Sequence, residues 1–140
     1  MTISSVPAPF DVAASDDSAD FWRGTADHRL ILQRCDECGR LRFPPMPGCP
    51  WCGATTTTNV DAAGTGAVYS WIVVHRAFDE RFSGDVPYTI ATVDLTEGCR
   101  IFGRLDSPAS EIAVGLPVTA RYFDHDGWTE VSFATGEVKS

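Results

Sequence analysis

Four of the five cysteines fall in one short window and are spaced as metal ligands. Cys35 and Cys38 form one C-x2-C pair, and Cys49 and Cys52 form a second pair ten residues later. Each pair is followed by a glycine, which tolerates the positive φ that closes a tight turn around a metal ion. Four thiolates delivered by two such turns match the tetrahedral coordination of zinc. Because cysteine fills all four positions, no coordination site stays open for a substrate, and the zinc is predicted to be structural.

Two disulfides or a redox-active C-x-x-C are the alternative explanations of the doubled motif. Disulfides require an oxidising compartment, but the first twenty residues contain four aspartates, no lysine or arginine and no apolar run. Such a segment does not look like an export signal. A redox motif would be single and would lie in a βαβ unit, which the sequence does not predict. We therefore expect a cytoplasmic protein with a structural zinc site.

The other reactive residues do not form a recognisable catalytic set. The chain has no nucleophile elbow, glycine-rich phosphate loop or H-E-x-x-H motif. Cys99 stands alone in a strand-like run, where cysteine is usually a small buried hydrophobic residue. His75 is predicted at a strand end and His125 in a turn, both ordinary places for an exposed histidine. The sequence thus predicts no catalytic residue; a stand-alone enzyme using Cys99 or a histidine is the alternative.

Short strands must position the two cysteine pairs. Residues 30–34 are predicted to lead into the first pair and 40–43 to return from it, and 55–58 leave the second pair. Upstream, a short helix is predicted to begin at Ser18 and end at Gly24. A second short helical turn is predicted over 25–29.

Alternating apolar and polar residues begin at Gly66 and predict five further strands. They are residues 66–78, 86–95, 99–105, 117–123 and 128–134. Five strands with no long helix fit a small Greek-key barrel, and we favour an OB-fold over an SH3-like barrel. The predicted fold is mostly β: an N-terminal arm with short helices (1–29), a rubredoxin-like zinc ribbon (30–60) and a five-stranded OB-fold barrel (61–140).

Length and charge limit the remaining functions. The 140 residues allow one ordinary domain or two very small ones, and no apolar run is long enough to span a membrane. The net charge is −8. The predicted barrel has twelve acidic against six basic side chains, whereas residues 28–60 have two against four. A nucleic-acid-binding ribbon and barrel is the alternative function, and this balance argues against it for the barrel only.

Aromatic and arginine side chains cluster in the predicted helix and in the loop before the second barrel strand. The candidate contact residues are Phe21, Trp22, Phe78, Arg81, Phe82 and Tyr88. Such residues are typical anchors of protein interfaces, and they could equally stack on an adenine ring or pair with a phosphate. The alternatives are that the helical pair covers the edge of the ribbon and that Phe78 and Tyr88 belong to the barrel core.

Several short motifs accompany the cysteines. They are Phe21-Trp22, Leu30 with Gln33-Arg34, Phe43-Pro44-Pro45, Pro50, Gly64-x-Gly66 with Val68-Tyr69-Ser70, Pro87-Tyr88, Asp94-Leu95, Glu97-Gly98, and Val114-Gly115 with Val118. With these motifs, the chain from about Phe21 to Phe133 resembles the zinc-ribbon/OB-fold acyl-CoA-associated proteins, accessory subunits of thiolase-like enzymes. One position departs from the pattern, because the family often has arginine where this chain has Met46.

The resemblance implies a non-catalytic accessory subunit in a heteromeric complex of lipid or steroid metabolism. Members of the family bind thiolases, acyltransferases or steroid side-chain aldolases and help to form the acyl-CoA channel. Some are joined to hydratases that act on steroid acyl-CoA esters. The implied partner is a thiolase-like or lipid-transfer-protein-type enzyme, in some members assembled with a hydratase. The implied cofactors are a structural Zn²⁺ and a coenzyme A thioester shared with the partner.

Overall fold

The computed structural model describes residues 17–77 and 80–135, with Arg81 described by its backbone alone. One helix, α1 (Ala19–Ala26), precedes a ribbon of three strands: β1 (Leu30–Cys35), β2 (Leu41–Arg42) and β3 (Thr57–Ala62). Five barrel strands follow: β4 (Thr65–Val74), β5 (Tyr88–Leu95), β6 (Arg100–Asp106), β7 (Pro117–His125) and β8 (Trp128–Thr135). Short 3₁₀ turns occupy Glu80–Phe82 and Ala109–Glu111.

The ribbon is an antiparallel sheet in the order β2-β1-β3. Strand β1 pairs with the whole of β3, from Leu30 opposite Ala62 to Cys35 opposite Thr57. Alternate residues of β1 are buried, with Leu30 and Leu32 almost completely removed from solvent. This period-two burial is what a strand with one covered face requires.

The barrel closes in the order β4-β5-β6-β8-β7, which confirms the predicted OB-fold. All neighbouring strands are antiparallel except β6 and β8. Gly66 of β4 lies between two neighbouring strands, opposite Leu95 of β5 and Val118 of β7. A Cβ atom at this position would lie 2.5 Å from the carbonyl oxygen of Asp94, so only glycine allows the strands to approach this closely.

Helix, ribbon and barrel share one hydrophobic core. Every barrel strand contributes to it, including Val68, Val93, Ile101, Val118 and Phe133. The same cluster contains Leu30 and Leu32 of the ribbon and Phe21 of α1. The ribbon therefore packs on the barrel and is not suspended from it by a linker.

The helix differs from its prediction because a glycine that looked like a stop signal is a packing site. A Cβ atom on Gly24 would lie 2.4 Å from Cγ1 of Ile31, so the helix approaches β1 too closely for a side chain. The helix continues to Ala26, with Thr25 donating a hydrogen bond to the carbonyl of Trp22. The predicted second helical turn is wrong, since the chain turns sharply after α1 and His28 takes a positive φ of 57°.

Several strand boundaries also differ from the predictions. Strand β4 ends at Val74, four residues before the predicted end, and β3 extends beyond its predicted end to Ala62. Residues 1–16 of the predicted arm lie outside the described part of the chain. No helix within the described residues is long and apolar enough to cross a membrane.

Candidate metal site and aromatic groove

The four cysteines of the doubled motif meet at one end of the ribbon. Their Sγ atoms all lie within 4.8 Å of one another, with Cys35 3.5 Å from Cys52 and Cys38 3.6 Å from Cys49. Four sulfurs at about 2.3 Å from a tetrahedral Zn²⁺ are about 3.8 Å apart. The donor set and its spacing therefore fit a single zinc ion.

Backbone N–H groups of the two turns point at the sulfur atoms. The N–H of Cys38 lies 3.5 Å from Sγ of Cys35, and hydrogen bonds of this kind lower the pKa of the Cys35 thiol. At Cys49, burial opposes ionisation, but N–H groups of Cys52 and Trp51 outweigh it and lower the pKa to about 6. Low thiol pKa values favour the thiolate, which is the form that binds a metal.

Each cysteine turn is closed by the glycine that follows it. Gly39 and Gly53 have positive φ angles of 78° and 79°, and their N–H groups donate to the carbonyls of Cys35 and Cys49 at 2.9 Å. With four thiolate ligands, zinc would have no free position for water or substrate. The site is suited to holding the ribbon together and not to catalysis.

An apolar cavity lies where α1, the turn after β2 and the barrel meet. We call it the aromatic groove, and its volume is about 520 Å³. Its walls include Phe21, Trp22, Phe43, Pro44, Phe82, Tyr88, Phe102, Arg104, Trp128 and Glu130. Four of the six candidate contact residues, Phe21, Trp22, Phe82 and Tyr88, line this one groove. Phe78 and the side chain of Arg81 lie outside the described part of the chain.

A continuous row of aromatic rings joins the three parts of the molecule at the groove. The ring of Trp128 lies 6.1 Å from Trp22, which lies 5.1 Å from Phe21. Phe43 continues the row at 5.5 Å from Phe21 and 5.3 Å from Phe102. These centroid distances suit edge-on aromatic contacts. The row runs from β8 through the helix and ribbon to β6.

Charged side chains form one end of the aromatic groove. The guanidinium of Arg104 lies 3.1 Å from Asp85 and 3.7 Å from Glu130, and it stacks over the rings of Tyr88 and Phe82. Only 9% of the Arg104 side chain is exposed. A cation this buried is tolerated because carboxylates and ring faces surround it. Sequence reasoning missed Arg104, because strict alternation along β6 places it on the same side as the exposed Arg100.

His125 extends this charged cluster and corrects the expectation of an exposed turn histidine. Its Nε2 lies 2.9 Å from Glu130, its ring stacks on Trp128 at 4.7 Å, and only 1% of its side chain is exposed. His125 is the last residue of β7 and not part of the turn, and the pairing of β7 with β8 places it directly opposite Trp128. The indole then covers the imidazole.

The second half of β4 is an exposed apolar strand. Its exposed side chains include Tyr69, Trp71, Ile72 and Val73. Within the described residues, β4 pairs with β7 only over residues 65–67, so residues 70–74 pair with β5 alone. An exposed apolar strand with one open edge is typical of a surface that another chain covers.

Cys99 does not have the properties of a nucleophile. It is buried between the turn after β5 and strand β6. Burial, helped by the charge of Glu97, raises the pKa of its thiol to about 11. At neutral pH the group is a protonated thiol, which is a poor nucleophile.

Comparison with known proteins identifies both parts of the chain. Residues 22–58 match the family model described as "ChsH2, rubredoxin-like zinc ribbon domain", and residues 59–123 match "ChsH2, C-terminal OB-fold domain". The two matches meet between residues 58 and 59. The domain limits of 30–60 and 61–140 stay a prediction.

Two curated relatives are similar over most of this chain. A "3-oxo-4,17-pregnadiene-20-carboxyl-CoA hydratase alpha subunit" of Mycobacterium tuberculosis is 38% identical over 135 residues, covering 90% of this chain but 42% of that protein. A "DUF35 domain-containing scaffold protein" of Methanocaldococcus jannaschii is 36% identical over 111 residues, covering 76% of this chain and 78% of that protein. The chain thus spans less than half the length of the hydratase subunit.

A solved structure shares the whole architecture. It is described as an "Ltp2-ChsH2(DUF35) aldolase", with a TM-score of 0.77 and 38% sequence identity. The match covers 88% of this chain and 97% of the other. The zinc ribbon, the barrel and their relative placement are therefore common to both chains.

Proposed function

The chain belongs to the ChsH2/DUF35 family of zinc-ribbon and OB-fold proteins, and from that premise we propose that it is a non-catalytic accessory subunit of a thiolase-like enzyme. In this role it docks on the enzyme and forms part of the channel that holds an acyl-CoA thioester. The observation that carries the proposal is the aromatic groove, an open apolar site of about 520 Å³ in a chain whose metal centre is suited only to structure. The reaction itself belongs to the partner enzyme.

The names of the relatives support an accessory role more than a hydratase activity. One relative is called a scaffold protein, and the solved relative is described as part of an aldolase. The hydratase subunit is more than twice as long as the matched region, so its activity does not transfer to this chain. We place the protein in the cytoplasm, because four thiols kept for zinc require a reducing compartment.

The aromatic groove is suited to an acyl group with a large apolar body. Its walls are mainly aromatic rings and proline, which bury apolar surface without offering hydrogen bonds. Phe102 stands at the rim with 57% of its surface exposed, so a bound group could cover it. Arg104 and Glu130 make one end of the groove charged, whereas its other walls are mainly apolar.

Truncating a side chain at the rim of the aromatic groove should therefore lower the activity of the complex on bulky acyl-CoA substrates. In the assembled complex, Phe102→Ala is expected to lower kcat/KM for a bulky apolar acyl-CoA by about 10-fold. The reason is the loss of about 1.5 kcal/mol of free energy from apolar surface that the acyl group buries against the ring. The kcat/KM for acetyl-CoA, whose acyl group is too short to reach far along the groove, should not change. Steady-state kinetics with both substrates measure the difference. Equal losses for the two substrates would argue against acyl contact.

The exposed half of β4 is the surface that we expect the partner enzyme to cover. The segment from Tyr69 to Val74 carries no charge, so it can be buried without leaving an unpaired ion. Its free edge offers backbone hydrogen bonds to an added strand. The proposed occupant is an apolar, extended segment of the thiolase-like enzyme.

A charge placed in this strand should disrupt the complex. Ile72 is 61% exposed, so Ile72→Asp should fold normally, yet burying the carboxylate at the interface should weaken partner binding at least 10-fold. The matched control is Val114→Asp, on the loop before β7, where the valine is 73% exposed. Tagged pull-down from the native cell, followed by titration calorimetry with the isolated partner, measures both variants.

Two results would contradict the docking surface. The first is an unchanged affinity of the Ile72→Asp variant for the thiolase-like partner. The second is a homodimer of the unmodified chain that Ile72→Asp converts to a monomer while partner binding persists. Light scattering during size-exclusion chromatography detects that dimer.

A further inference from the structure

A second pocket lies where the ribbon meets the turn between β5 and β6. Its volume is about 400 Å³, and Arg34, Arg40, Trp51 and Glu97 line it. We call it the ribbon pocket. Unlike the aromatic groove, it combines cations, one exposed indole and one carboxylate. Neither the metal site nor the aromatic groove uses any of these four side chains.

The two arginines of the ribbon pocket have no acidic partner among the residues that the structure describes. Most other described arginines are paired, as Arg29 is with Asp61 and Arg100 with Asp94. Arg34 and Arg40 are both exposed and form no ion pair with any described residue. Two guanidinium groups that line one pocket without an ion-pair partner among the described residues are a ready receptor for phosphate oxygens. They stand out in a chain of net charge −8.

Trp51 supplies a rigid stacking surface in the ribbon pocket. It lies between the cysteines of the second pair, and 53% of its surface is exposed. Hydrogen bonds of 2.9 Å from Gly53 to Cys49 and 2.8 Å from Cys49 to Ala54 hold this turn. The guanidinium of Arg40 lies 5.2 Å from the centre of the indole ring. An indole has two faces, and a heterocyclic base stacks well on such a ring.

Glu97 supplies an acceptor that the protein itself does not use. Its Oε2 accepts a hydrogen bond from the backbone of Ala63 at 2.8 Å, which fixes the carboxylate. Its Oε1 is buried and has no hydrogen-bond partner among the described residues. A buried carboxylate oxygen without a donor is costly, so an amino group on a ligand would stabilise this arrangement.

We propose that the ribbon pocket binds a phosphorylated adenine nucleoside. The base stacks on Trp51, its exocyclic amine donates to Oε1 of Glu97, and the phosphates pair with Arg34 and Arg40. Coenzyme A carries this chemistry at the end remote from its thioester. The identity of the ligand as coenzyme A rests on the proposed function, whereas the nucleoside chemistry rests on the pocket alone.

Titration calorimetry of the zinc-loaded full chain with adenosine 3′,5′-bisphosphate tests the proposal. Binding should be detectable, should weaken as salt is raised, and should be stronger than that of the matching inosine compound, which lacks the amine. Arg34→Gln with Arg40→Gln should weaken binding at least 10-fold, and Glu97→Gln should reduce the preference for adenosine. The matched control is Arg29→Gln, whose arginine is already paired outside the pocket.

Several outcomes would overturn the proposal. One is no binding at millimolar nucleoside, and another is binding that none of the three pocket substitutions changes. A third concerns zinc, because a tetrathiolate zinc centre carries two net negative charges that nearby arginines could balance. If the double arginine variant lowers zinc affinity but leaves nucleoside binding unchanged, the two arginines stabilise the zinc site and do not bind the nucleoside. Tighter binding of a single-stranded oligonucleotide than of any mononucleotide would identify nucleic acid as the ligand instead.

The same variants separate this proposal from the accessory role. A chain that binds the thiolase-like partner but no adenine nucleoside would overturn the ribbon pocket and leave the accessory role standing. A chain that binds the nucleoside but no thiolase-like partner would support the pocket and contradict the accessory role. Pull-down with the double arginine variant completes the comparison, since this variant should still bind the partner.

Discussion

Removing the zinc should unfold the ribbon and destroy the aromatic groove with it. Strand β2 has only two residues, so little besides the metal holds the two cysteine turns together. Structural zinc in small ribbon-like domains contributes about 10–16 kcal/mol of binding free energy, which is also folding free energy. Cys49→Ser, which deletes a buried ligand, is expected to have the same effect as a strong chelator.

The measurements for this prediction are metal content, far-ultraviolet circular dichroism and hydrogen exchange. One zinc ion per chain is expected in the unmodified protein, and amides of β1 and β3 should lose protection when it is removed. Acid should release the metal, since protons compete for the thiolates. Cys99→Ser is the matched control, because it changes a buried cysteine outside the metal site and should keep the zinc. A metal-free chain with protected β1 and β3 amides would refute the structural role.

Replacing Arg104 should cost far more stability than replacing Arg100, although both lie on β6 and both pair with an aspartate. Arg104→Met leaves Asp85 and Glu130 without their cation in a buried site. Breaking a buried ion pair by removing one partner costs about 3–5 kcal/mol. Arg100 pairs with Asp94 while 56% of its side chain is exposed, and such surface pairs contribute about 1 kcal/mol or less.

Chemical denaturation of Arg104→Met and Arg100→Met measures the two effects directly. A loss of about 3 kcal/mol in the first variant corresponds to a fall in Tm of about 6–12 °C. Adding Asp85→Asn to Arg104→Met should recover part of the loss, because it removes one stranded charge. Equal destabilisation by the two single substitutions would show that the buried cluster contributes no more than a surface pair.

Local patterns accounted for the elements that the sequence predicts well. The cysteine spacing alone predicts the metal site, because the two cysteines of each pair lie three positions apart and share one tight turn. Alternation along the chain predicts all five barrel strands, because each strand has one covered face. Gly24 shows the limit of such reasoning. A glycine near a helix end looks like a stop signal, yet here it makes room for Ile31, a contact that no local pattern reveals.

Arg104 and His125 show the same limit for charged and polar residues. By local pattern both belong on the surface, and the turn chemistry of residues 124–127 reinforces that expectation for the histidine. In the structure each is covered by an aromatic ring, Arg104 by Tyr88 of β5 and His125 by its hairpin partner Trp128. Burial of a polar side chain depends on which ring the strand pairing places over it, and the local pattern of the sequence does not predict that.

The sequence by itself determined the chemistry of this protein's parts: a four-thiolate metal ribbon, a five-stranded barrel and a set of aromatic residues suited to contact. Only the tertiary structure decided that Phe21, Phe43 and Phe102 meet in one groove, and that Glu97 of the barrel lines the same pocket as Arg34 of the ribbon. The physical reason is the separation along the chain of the residues that must come together. A metal turn and a strand arise from neighbouring residues, whereas a groove between helix, ribbon and barrel arises from packing three elements on one shared core.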